Sequence, residues 1–229
     1  RRIKDEEKKQ LVDEYQVYLA EKGKRVQPFV RPRSERGSPI FFGSDPEVKL
    51  IESDPEGEIK IIAGMLYNAP NAHRSWEETL RDVRRLSAEE KKKVVEAYLA
   101  GRAQRWQKVG RAFENAYARF EIVMNIGAWR DLQRHRMLTQ VRQNFSCHHG
   151  YDIGPEIIEA GLEKEFRAAI SPVEDVFAKI AKHDLDLAQY AVAMAHRLRF
   201  MQWENLRQSF WQIELRTIPE GHPDYRHVC

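Results

Sequence analysis

The chain has 229 residues, 42% of them hydrophobic and 32% charged, with a formal charge of +3. That content supports a real core in one domain with an appended arm, and so near a balance of charge removes any purely electrostatic case for nucleic acid. Two cysteines, Cys147 and Cys229, exclude a disulfide framework and point to a reducing, cytoplasmic setting, and no run approaches the roughly 18 apolar residues of a membrane span.

The first position is Arg1, not methionine, and the start is highly charged, which leads to the expectation of a piece of a longer polypeptide. Residues 3–24 read as an amphipathic helix, with Leu11, Val12, Tyr15, Tyr18 and Leu19 at helical spacing opposite a Lys/Glu-rich face. So polar a helix is rarely stable alone and calls for a neighbour. From Gly23 to Gly43 the periodicity is lost and Pro28, Pro32 and Pro39 gather, so residues 1–44 are read as a helical arm and linker and residues 45–229 as the main domain.

Val48–Ile51 is a strand candidate ended by Asp54-Pro55, and Ile59–Leu66 is an apolar helical run. Ser75 and Ser87 are each followed three residues later by glutamate, the capping-box signature, and the second opens a helix to about Ala103. Ala118–Ile126 is rich in β-branched and aromatic residues and reads as a strand. Gly127 breaks it, Ala128–Arg136 turns helical, and Thr139–Ser146 alternates again. Glu156–His183 reads as two helices divided at Ser171-Pro172, with Ser171 capping the second. Leu185–Ala193 is short and helical, while His196–Trp203 fits strand or helix. Asn205–Arg216 is a helix and Thr217–Cys229 a loop.

Arg134-His135-Arg136 sets two fixed cations around an imidazole, which suits a phosphate or an anionic ring, although a solvated helix end explains it as well. Asn205 with Gln208 makes a good helix start. Arg207 in that first turn opposes the helix dipole, so either a bound anion such as a pyrophosphate or an ion pair must account for it. Arg216, in the last turn, suits the dipole unaided. Cys147-His148-His149 are consecutive and no second ligand cluster exists, so no metal site is expected. No Rossmann, P-loop or nucleophile-elbow motif occurs. Arg197–Trp203 interleaves basic and aromatic residues, a pattern read as an interface strand ahead of a single-strand nucleic-acid platform.

Taken in order, these pieces resemble the flavin-dependent thymidylate synthase family over roughly Val48 to Arg226. Phe113-Glu114-Asn115 resembles its Phe-Glu-His element and Arg134-His135-Arg136 its signature triplet. Asn205-x-Arg207 with Glu214-Leu215-Arg216 resembles its carboxy-terminal helix, and His222-Pro223-Asp224-Tyr225-Arg226 sits where a closing motif stands. The resemblance implies an α+β fold, an antiparallel sheet with helices packed around it, here preceded by the helical arm. It implies a homo-oligomer, a homotetramer in the family, with FAD bound between subunits. The family makes dTMP from dUMP with methylenetetrahydrofolate and NADPH. Arg134, His135, Arg136, Asn205 and Arg207 would contact FAD, and Arg216 would lie beside nucleotide and flavin, with Arg142 and Asn144 on the nucleotide side.

The departures fall mainly on that nucleotide side. Asn144 stands where the family has a serine, Ser146 where it has an arginine, Cys147 where it has an aromatic residue and Arg142 where it has a carboxylate. Asp131 replaces a glutamine, Gln189 an arginine, Ala193 a proline and Asn115 a histidine. Two functions therefore remain open: methylation of dUMP or a related nucleotide, or a catalytically silent FAD-binding or structural domain supporting a partner copy.

Overall fold

The computed structural model describes residues 5–30, 47–70 and 72–229. Among them, β1 (Glu47–Ser53), β2 (Tyr117–Asn125), β3 (Leu138–Arg142) and β4 (Arg197–Asn205) form one antiparallel sheet in the order β1-β2-β4-β3. The chain divides into two compact units, residues 1–39 and 40–229.

In the first unit, α1 (Asp5–Val26) ends slightly later than the spacing predicts and runs into a short 3-10 turn, Gln27–Phe29, so the first residues of the expected linker are helical. Residues 31–43 of that linker lie outside the described residues. Acidic Asp5, Glu6 and Glu7 open the helix and Lys24 and Arg25 close it, both favourable to the dipole. None of its residues is buried, and Leu11, Val12 and Tyr15 are 55–57% exposed.

In the second unit β2 and β4 pair along their full length, from Tyr117↔Asn205 to Asn125↔Arg197. Side chains alternate across a strand, so Ala118, Ile122 and Met124 share one face with Leu198, Phe200, Gln202 and Glu204, all buried. This settles the ambiguous stretch as strand: only a two-residue period buries 198, 200, 202 and 204 together. Burying Leu198 and Phe200 fully stabilises the fold by about 1.5–3 kcal/mol each. The opposite face carries the Glu121–Arg199 ion pair beside exposed Met201 and Trp203.

The α2 (Gly57–Tyr67), α3 (Trp76–Arg85) and α4 (Ala88–Leu99) helices pack around Ile62, Ala63 and Val83. Ser75 and Ser87 close capping boxes with Glu78 and Glu90, as their spacing predicts. The α4 helix stops short of Ala103, with Gly101 at φ +76° just beyond it.

Several expected boundaries are corrected. The strand expected to run to Ile126 stops at Asn125, and Gly127 lies inside α5 (Ile126–Leu132), because the Asn125 side chain caps the Ala128 amide and Gly127 donates to the Met194 carbonyl. The triplet therefore follows α5 and is not part of it. β3 ends at Arg142, after which Gln143 donates once to Arg199 and the ladder stops. Pro172 sits inside the unbroken α7 (Glu163–Ala181), and the division falls earlier, between α6 (Pro155–Glu159) and α7. There Gly161 takes φ +72° while Leu162 N bonds Ile157 O and Gly161 N bonds Ile158 O, a Schellman cap. The α8 helix (Leu185–Ala188) passes into a 3-10 turn, Gln189–Ala191. α9 (Leu206–Arg216) follows β4 as predicted, but the expected terminal loop contains α10 (Pro223–Val228). Pro223 at its first position and the His222 ring accepting from Asp224 N start it, and Tyr225 and Val228 pack onto the Trp129–Phe200 cluster.

Candidate functional site

Both central strands end in an asparagine that caps the next helix. Asn205 Oδ1 accepts from Gln208 N at 2.9 Å, which fixes the start of α9 and sets Arg207 in its first turn. The buried Asn125 does the same for α5 and its amide also donates to Asp152 and Asp224, tying α10 to the sheet. The segment leaving α5 then runs back along α9.

His135 is the joint between the two. It is buried, with Gln208 3.1 Å from Nδ1 and Arg216 Nε donating to Nε2 at 3.0 Å. A guanidinium can only donate, so Nε2 must accept and the ring proton lies on Nδ1, which requires Gln208 to turn its amide oxygen, as acceptor, toward Nδ1. Burial, then the charges of Arg216 and Arg134, push its pKa down to about 4, so the imidazole is neutral. Arg216 also donates from Nη2 to the Asp131 carbonyl at 2.6 Å, lies 3.6 Å from the Asp131 carboxylate, and covers the Tyr225 ring. Arg134 pairs with that same carboxylate. Arg136 is exposed, and among the described residues no carboxylate pairs with it.

Asn205 and Arg207 line a cleft of about 290 Å³ whose apolar walls are Val109, Met137, Phe210 and Trp211. Its cations are already engaged. Arg207 Nη1 donates to Glu114 at 2.5 Å, Arg102 to both oxygens of Glu214 at 2.6 and 2.7 Å, and Lys108 lies 3.2 Å above the Trp211 ring. Burial pulls Lys108 down from the usual lysine range. Burial also works to raise Glu114, but the Arg111 and Arg207 hydrogen bonds outweigh it and hold its carboxyl below the ordinary value. Of the two explanations for Arg207, the ion pair is present. Apolar walls lined together with guanidinium groups suit the chemistry of a flavin, which needs apolar contact and charge at one edge.

Arg142 lies at a second cleft, of about 560 Å³, with Phe145, Asp184, Gln189 and Tyr190. Its guanidinium sits 4.2 Å from the Phe145 ring centroid and donates to Gln143 O. Gln189, standing where the family pattern has arginine, accepts from Phe145 N at 3.1 Å. Asn144 is exposed on the same segment. The structure thus joins the triplet to α9 through His135 and Arg216, and leaves Arg142 at a different cleft, which Asn144 does not line. The Cys147 thiol is pushed up to about 11, by burial first and Glu174 second, which makes it a poor nucleophile or metal ligand. Its neighbours diverge, His148 onto Phe177 and His149 toward Gln143.

The sequence reading missed the counter-ions Asp131, Glu114 and Glu214, and it missed Glu204. Glu204 is 3% exposed, bonded by Ser209 at 2.8 Å and Gln202 at 3.1 Å, and burial raises its pKa. Its signal was an acidic residue on the inward period of a strand. The signal for Asp131 was an acid in a last helical turn, where the dipole disfavours it.

The family model described as thymidylate synthase complementing protein matches residues 49–229. A UPF0159 protein of Chlamydia pneumoniae is 36% identical over 188 residues, 82% of this chain and 35% of that protein. A UPF0159 protein of Thermoplasma acidophilum is 33% identical over 187 residues, 80% of this chain and 37% of that protein. The chain spans about a third of the length of these curated relatives. Among solved structures, thymidylate synthase X from Helicobacter pylori with FAD and dUMP superposes with a TM-score of 0.55 at 14% identity, covering 80% of this chain and 89% of that one. The UMP/dUMP methylase PolB from Streptomyces cacaoi, bound with 5-Br dUMP, gives 0.60 at 14% identity, covering 81% and 87%. At such identities the likeness establishes the α+β fold.

Proposed function

The chain belongs to the thymidylate synthase complementing protein family, and from that premise we propose that it binds FAD and acts on dUMP or a related nucleotide. The observation that supports this most is the cleft at the start of α9. There the strand-ending Asn205 and Arg207 line the same cleft as the apolar Val109, Met137, Phe210 and Trp211. Bound flavin would supply hydride transfer, with NADPH as reductant and methylenetetrahydrofolate as carbon donor.

In this reading Arg207 holds anionic charge on the cofactor, Asn205 shapes the helix start, and Arg134 and Arg136 face it from the segment after α5. His135 sits behind them, and Arg216 is the cation nearest both cofactor and nucleotide. A cleft of about 290 Å³ is at the small end for a ligand site, so the rest of a dinucleotide would extend beyond it, against a second copy of the domain in a homotetramer. Arg142, stacked on Phe145, would meet the nucleotide from the second cleft, with Asn144 on the same segment.

A second reading, a catalytically silent domain supporting a partner copy, is favoured by one set of contacts. Asp131, Glu114 and Glu214 neutralise Arg134, Arg207 and Arg102, and Gln189 is engaged by the Phe145 amide. In that case flavin binds without dUMP-dependent turnover.

Titration with FAD tests the first step. Arg207→Ala should weaken FAD affinity by at least roughly tenfold, about 1.4 kcal/mol, the loss of one charge-assisted hydrogen bond. Unchanged affinity would remove Arg207 from the site.

A further inference from the structure

Asp131 stands in the last turn of α5, where a carboxylate faces the negative end of the helix dipole and does nothing for the helix itself. Two arginines converge on it, one from the turn after α5 and one from α9. Arg134, one turn on, pairs with its carboxylate. Arg216, at the far end of α9, lies 3.6 Å from that carboxylate and donates to the same residue's carbonyl at 2.6 Å. Arg216 is 14% exposed and Asp131 32%, so the pair is shielded from solvent more than a surface salt bridge. The ring between the arginines adds no charge, because His135 spends Nε2 accepting from Arg216. The cluster therefore holds two guanidinium groups and one carboxylate.

We propose that Asp131 is a built-in counter-ion occupying the anion position between Arg134 and Arg216, so that a phosphate group enters only by displacing it. It is the residue that sets how strongly this face of the domain holds phosphate. The family pattern has a neutral glutamine at this position, which would leave both arginines open to a ligand. The proposal rests on the reading that the triplet faces a phosphate-bearing ligand, but its test does not depend on flavin.

Inorganic pyrophosphate is the probe, measured by calorimetry on the wild-type chain and on Asp131→Asn and Asp131→Gln, with near-UV circular dichroism as the check of fold. Both variants should bind pyrophosphate at least tenfold more tightly than wild type. Equal or weaker binding by folded variants would overturn the proposal. Gain of pyrophosphate affinity with no FAD binding by any form would uphold it while removing the flavin reading. A wild-type measurement covers the case in which the variants do not fold. Saturating pyrophosphate should move the Asp131 carboxyl carbon resonance, and an unmoved resonance with pyrophosphate bound would overturn the proposal.

Discussion

Between pH 6.5 and 4 the unfolded chain takes up a proton at His135 that the folded chain refuses, because burial and two guanidinium groups hold the ring neutral down to about 4. The unfolded state binds more protons across that window, so stability falls as the pH is lowered through it, by on the order of 2–3 kcal/mol from this group. His135→Gln, whose amide oxygen can accept from Arg216 Nε, should fold and lose that part of the acid slope in urea unfolding at pH 6.5 and 4.5. An unchanged slope would place the proton elsewhere. At this scale the cations were legible and their partners were not. Arg134, Arg207 and Arg216 stand out as fixed charge in a motif. The carboxylate that meets Arg207 is 93 residues away in sequence, brought there by the turn before β2, and no local spacing announces it.

The elements owe their ends to side chains that the sequence shows openly. Ser75, Ser87 and Asn205 cap where their spacing predicts, because capping is a contact over three residues. The misread boundaries are those decided by tertiary contacts. Gly127 fits inside α5 because Met194 accepts its amide, and Pro172 is carried within a long helix. α10 forms because Tyr225 and Val228 find apolar partners on the sheet. The two strand-ending asparagines make a matched comparison. Asn205→Ala removes a cap alone and should cost about 1 kcal/mol. Asn125→Ala removes a buried cap together with the bonds to Asp152 and Asp224, and should cost about 2–3 kcal/mol. Urea unfolding of the two variants decides it, and equal losses would mean that the Asp152–Asp224 link does not hold α10.

For the whole molecule, strand periodicity located β2 and left β4 open, and the antiparallel arrangement came from family resemblance; register and order are set by long-range pairing. The outer face of the sheet leaves Val141, Met201 and Trp203 38–58% exposed, apolar area that fits burial between copies. Sedimentation should therefore return a closed oligomer, and a clean 26.9 kDa monomer would contradict a composite site. Every proposed step starts from flavin binding by this domain. The most direct measurement is the visible absorption spectrum of the protein after incubation with FAD and gel filtration. Oxidised-flavin absorbance should co-elute with the protein and be weaker in Arg207→Ala. Colourless protein at concentrations that saturate a micromolar site would contradict it.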